Sequence, residues 1–98
     1  MEKIVRDCRV AVAVSGGFGA GWSTWNDVSP MDARFNQLFL DGKFEEAAAL
    51  CEQLELGYAG GAEDVGIEWV PVGTRFVITE YDGSESLQTI DDFNWLEA

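Results

Sequence analysis

From residue 8 the chain alternates. In CRVAVAV, Val10, Val12 and Val14 fall on one face of an extended segment and Ala11 and Ala13 on the other. This predicts a strand over residues 8–14 covered on both sides, with the alanine face letting a helix approach closely. A loop rich in glycine and aromatics, SGGFGAGWSTWND, follows. The period then becomes helical. Ser29-Pro30-Met31-Asp32 reads as a helix start: Ser caps, Pro suits the first helical position, and Asp32 favours the positive end of the dipole. Met31, Phe35 and Leu38 line one face. Asp41-Gly42 breaks the helix. Over residues 43–56 a second helix buries Phe44, Ala47, Ala48, Cys51 and Leu54 and turns Glu45, Glu46, Glu52 and Glu55 to water. Gly57 reads as its stop.

Beyond YAGGAED, read as a flexible connection, period two returns. GIEWVP, TRFVITEY and SESLQTI are strand-like, separated by Val72-Gly73 and Asp82-Gly83. Asp-Gly is a strong two-residue hairpin signal. It sets Tyr81 opposite Ser84, Glu80 opposite Glu85, and Ile78 opposite Leu87. A two-residue turn at Val72-Gly73 would set Trp69 opposite Phe76 and Ile67 opposite Ile78. Ile67, Trp69, Phe76, Ile78 and Leu87 then share one core face. The tail, DDFNWLEA, is expected to dock through Phe93 and Trp95. Together these elements predict one α+β domain over residues 1–98. Its small antiparallel sheet combines the N-terminal strand with a three-strand meander, and a two-helix hairpin covers one face. The segment LFLDGKFEEAAALCEQ looks locally like a tetratricopeptide hairpin, but a single copy has no neighbour to stack on, so it reads as convergent hairpin chemistry.

Composition fits that picture. The 98 residues are 47 % apolar, with four Trp and six Phe, which is the make-up of a packed domain. No apolar run approaches the roughly 20 residues of a membrane span. The stretch before VAVAV is broken by Arg6, Asp7 and Arg9, unlike a signal peptide. A cytoplasmic location is therefore expected. Cys51 is expected as a buried thiol, and with two distant cysteines and no histidine a zinc site is not expected.

Charge changes the picture more. The formal net charge is −12. Residues 1–43 hold five acids and five bases and sum to zero. Residues 44–98 hold thirteen acids and one base, Arg75, which gives the whole −12. Such a field repels nucleic acid and anionic membrane and attracts basic protein surfaces. Its bland alternative is an acidic surface that serves solubility.

The chemical motifs are sparse. SGGFGAG follows a strand, yet Trp22 stands where a P-loop has Lys and where G-x-G-x-x-G has its last Gly. Phe18, Trp22 and Trp25 either cap the core, as expected for two of the three, or are exposed anchors of an interface, or line a small-molecule loop for a nucleotide-like ligand. Without histidine, and with no base beside a hydroxyl, the sequence reads as a non-enzyme with no cofactor. Glu80 opposite Glu85 at the EYDGSE tip admits three readings: a solvated tip, a carboxylate pair awaiting an Arg or Lys of a partner, or a cation site.

Gly16, Gly17, Phe18 and Gly19 after a strand, and Glu80, Tyr81, Asp82, Gly83 and Glu85 ahead of a late Trp, resemble segments of small uncharacterised phage and prophage proteins. The resemblance covers two short segments. Ser15 stands where those proteins have Tyr, and Ala20-Gly21-Trp22 replaces their Leu-Ser. It implies a viral or prophage origin and no defined activity. With the charge map, the function expected is a small acidic accessory protein that binds a basic surface of a host protein, itself nucleic-acid-binding. In its sharper form it is a nucleic-acid mimic or anti-defence inhibitor. The candidate contacts are Glu63, Asp64, Glu68, Glu80, Asp82 and Glu85, with Glu45, Glu46 and Glu52 as a second acidic patch. The alternatives are a small-molecule binder using loop 16–25 and a structural component with no ligand.

Overall fold

The structure, a computed structural model, describes residues 1–89. Two helices and two small antiparallel sheets make an α+β fold. Strands β1 (Val5–Arg6), β2 (Arg9–Ser15) and β3 (Val65–Pro71) form the first sheet in the order β1-β2-β3. Strands β4 (Phe76–Tyr81) and β5 (Ser84–Thr89) form the second. Helices α1 (Ala33–Leu40) and α2 (Phe44–Gln53) lie between β2 and β3 in the chain. The expected docking of Phe93 and Trp95 lies outside the described residues.

Strand β2 organises both cores. Its alanine face meets the helices: Ala13 packs in one cluster with Trp22, Phe35, Phe39, Ala47 and Cys51. Its valine face meets the second sheet: Val12 and Val14, with Val70, are covered by Met31, Phe76, Ile78 and Leu87. Small residues on one face and branched ones on the other therefore choose the partner layer. Each large apolar side chain buried here contributes roughly 1.5–3 kcal/mol. Burial pushes the pKa of the Cys51 thiol up, a backbone hydrogen bond at Ala59 partly offsets this, and the charge of Glu52 adds to it.

The Asp-Gly hairpin forms in the expected register, with Tyr81 opposite Ser84, Glu80 opposite Glu85 and Ile78 opposite Leu87. Asp82 and Gly83 both have positive φ, 49° and 85°, as the tight turn demands. The expected pairing of β3 with β4 does not occur. β3 pairs with β2 instead, Ala11 opposite Trp69 and Ala13 opposite Ile67. Ile67 and Trp69 thereby face the helix side and leave the core face they were expected to share with Phe76 and Ile78. The Val72 N–H donates to the Cys8 carbonyl at 2.9 Å, so residue 72 stays with the first sheet, and a turn closed by Thr74 N–H on the Pro71 carbonyl (3.0 Å) redirects the chain.

The helix ends also differ from expectation. Asp32, not Ser29, caps α1, its side chain accepting from the Arg34 N–H at 3.0 Å. Residues 29–31 lie against the edge of β2, where the Pro30 carbonyl accepts from Ala13 N–H at 2.8 Å and from Asn36 Nδ2 at 2.9 Å. Both helices close in the same way. After α1, Lys43 N–H reaches the Leu38 carbonyl and Gly42 N–H the Phe39 carbonyl, with Gly42 left-handed. After α2, Leu56 N–H reaches Cys51 and Glu55 N–H reaches Glu52, but the left-handed residue is Glu55 (φ 58°). Leu54, expected in the buried stripe, is exposed.

Candidate functional site

Three segments meet at one end of β2: the Gly-aromatic loop after it, the connection after α2, and the β4–β5 turn. Glycine makes the meeting close. A side chain at Gly83 would overlap the Ala20 backbone, and one at Gly61 would overlap the backbone of Ala20 and Gly21. The Gly19 N–H donates to the Asp82 carbonyl at 2.7 Å and pins the loop to the turn. Asn26, which is buried, ties the same loop to the connection after α2. Its Nδ2 donates to the carbonyls of Trp22 (2.9 Å) and Gly60 (3.1 Å), and its Oδ1 accepts from Ala59 N–H at 3.2 Å. The segment read as a flexible connection is thus held by hydrogen bonds, with Ala59 and Gly60 buried.

Glu85 is the central group of this junction. It is 3 % exposed, and its carboxylate accepts from Ser15 N–H at 2.9 Å, Thr24 N–H at 3.0 Å and the Thr24 hydroxyl at 2.6 Å. The donor from Ser15 belongs to the outer edge of β2. Along that edge Ala11 N–H is taken by the Ile4 carbonyl and Ala13 N–H by that of Pro30, so Glu85 closes the row. A surface carboxylate pair at the EYDGSE tip is therefore not what forms. Glu85 leaves the set of surface contacts: the hairpin register puts it on the face of Ile78 and Leu87, and the donors of Ser15 and Thr24 meet it there. Glu80, opposite it, is exposed and accepts from Trp25 Nε1 at 3.0 Å.

The aromatic candidates separate in the same way. Trp22 is fully buried, edge-on to Phe35 and Phe39 with ring centroids 5.5 and 5.2 Å away, so it belongs to the core and offers no ligand face. Phe18 and Trp25 are exposed, where two of the three were expected in the core. Tyr58, which sequence reasoning did not single out, stands edge-on to Trp25 at 6.4 Å.

Of the remaining candidates, Glu63 and Asp64 occupy a 3-10 turn, Ala62–Asp64, that enters β3. With Phe18, Ala20, Ala48, Ala59 and Ala62 they line a cleft of about 320 Å³. Glu68 lies mid-strand on β3, outside this cleft, and Asp82 lies in the hairpin turn. Glu45 and Glu46 border a neighbouring hollow with Lys43 and Glu63, while Glu52 lies exposed further along α2. The floor alanines were invisible as site residues, since alternating or helically spaced alanines read as packing.

Between residues 44 and 89 there are ten acids, and all but Glu85 are exposed. Among the described residues the ion pair is Arg34 with Asp32, at 2.8 Å, in the other half of the chain. The nine exposed acids have no cation of their own. Among the described residues no group of three or more His, Cys, Asp or Glu is placed to hold a metal ion, and no helix is long and apolar enough to cross a membrane. Comparison with protein-family models, with curated proteins and with solved structures finds no match.

Proposed function

We propose that the protein is a small acidic accessory protein, of the phage type its two glycine-bearing segments resemble, that docks on a basic surface of a host protein and performs no catalytic step. The observation that carries this reading is the set of nine exposed, cation-free acids between residues 44 and 89. Exposed carboxylates cost little in water, but nine of one sign leave a field that a basic surface neutralises and that speeds encounter. A nucleic-acid-binding host protein presents such a surface, and the acidic half would occupy it as a mimic of the phosphate backbone. Sequestration of a nucleotide-like molecule by loop 16–25 has less support: Trp22 is sealed in the core and the loop is bound to the hairpin turn through Gly19.

The test is capture of host proteins on the immobilised chain at about 50 mM and about 500 mM salt, where the screening length falls severalfold. A variant with Glu45, Glu46 and Glu63 changed to Gln and Asp64 to Asn serves as control. A basic protein retained at low salt, released at high salt and not held by the variant is the expected result. A partner held equally at both salts and by both chains would overturn the reading.

A further inference from the structure

We infer that the cleft between loop 16–20 and the turn at Ala62–Asp64 is an anchor for one arginine side chain of an extended basic segment in the partner. The inference rests on the docking reading above and names its point of attachment. Three features of the cleft converge. Its floor is a strip of alanine methyls, Ala20, Ala48, Ala59 and Ala62, on which an aliphatic stem can lie. Phe18 borders it and is 73 % exposed, which leaves it open to a partner. Glu63 and Asp64 border it as exposed residues in no ion pair of this chain, the Asp64 carboxylate lying against the Gly17 backbone. A volume of about 320 Å³ suits one long side chain and stands at the lower limit, ~300 Å³, of ordinary small-molecule pockets.

The molecule already contains the same arrangement in miniature. The Arg34 guanidinium sits 5.5 Å from the centre of the Phe35 ring while it forks onto Asp32 at 3.2 and 2.8 Å. Arg6 lies equally close, 5.5 Å, to the Trp69 ring. At Arg34 the aromatic ring, carboxylate and guanidinium form the complete set. At the cleft the ring and the carboxylates are present, and the missing member is the cation. Arginine fits better than lysine, since a flat guanidinium can stack on Phe18 and donate two hydrogen bonds to carboxylates at once. The larger hollow beside α2, lined by Phe44, Glu45, Glu46 and the same Glu63, already holds a cation of the chain, Lys43.

The test is a titration of the full chain, followed by amide chemical shifts, with three blocked peptides: four Gly-Arg repeats, four Gly-Lys repeats and four Gly-Gln repeats. Shifts centred on Phe18, Ala20, Ala62 and Glu63 are expected for the arginine peptide. It should bind about threefold to fivefold more tightly than the lysine peptide, and Phe18→Ala should erase that preference. Glu63→Gln should weaken both cationic peptides. Phe18 and Glu63 are exposed, so both variants should keep the parent spectrum elsewhere. Cationic peptides that shift only the Glu45, Glu46 and Glu52 face, or bind equally well with Phe18→Ala, would overturn the anchor and leave the docking reading standing. No binding of either cationic peptide at low salt would overturn both.

Discussion

The two acidic regions of the molecule do opposite things. At the hairpin tip, Glu85 and Glu80 turn back onto the Gly-aromatic loop, Glu85 closing the edge of β2 and Glu80 holding the Trp25 ring. At the turn before β3, Glu63 and Asp64 face outward beside Phe18 with no cation. Both regions look alike in composition. The difference lies in donors: the first meets backbone N–H groups that would otherwise be orphaned, and the second meets water. An acid's role is therefore set by which donors the fold brings to it, and Glu85, unlike Glu63 and Asp64, is not free to bind something else.

Substituting one residue in each region sharpens the contrast most. Glu85→Ala removes three hydrogen bonds and leaves the Ser15 N–H buried without a partner, so it should cost about 2–4 kcal/mol in urea unfolding. Glu63→Gln should change stability by no more than ~0.5 kcal/mol. Equal losses would erase the distinction.

Asp32 is intermediate, an acid that answers a cation within the chain. Burial alone would raise its pKa. Hydrogen bonds from the Arg34 side chain and N–H, with the charges of Arg34 and the N-terminus, outweigh this and hold it below the usual carboxylate value. Its folded pKa lies below the unfolded one, so its stabilisation is complete above the ordinary carboxylate range and is lost as pH falls through the folded value. Asp32→Ala should cost ~1 kcal/mol at neutral pH as the lost helix cap. That gap, measured by unfolding at descending pH, should narrow once the pH drops below about 4. A gap that widened in acid would contradict the assignment.

The smallest effect concerns an exposed acid with a strained backbone. Glu55 takes the left-handed position that Gly42 takes after α1. Glu55→Gly should stabilise by ~0.5 kcal/mol, read from the thermal midpoint, if relief of the left-handed strain exceeds the added chain entropy. A loss would show that the side chain does more than face water.

Local chemistry made much of this fold legible. The alternation in CRVAVAV marked β2 and its alanine face as the helix side, because small residues let a helix approach, while the second sheet on the valine face was not foreseen. Asp82-Gly83 set a register that holds residue for residue, since a tight turn leaves no freedom to slip. The β1–β2 hairpin was missed because its turn, Asp7-Cys8, has positive φ at two residues that do not advertise it.

What the sequence alone determined was the fold class, the β4–β5 register and the segregation of charge, all consequences of short-range pattern or of counting. Tertiary structure decided three other things. It paired β3 with β2 across fifty residues or more, a partnership that no neighbouring residue encodes. It buried Glu85 and Trp22 while leaving Phe18 in water, because the junction of three segments fixes which side chains find donors and ring partners. It also placed Phe18 from one loop beside Glu63 and Asp64 from another, where a cleft exists only once both loops close on the alanine floor.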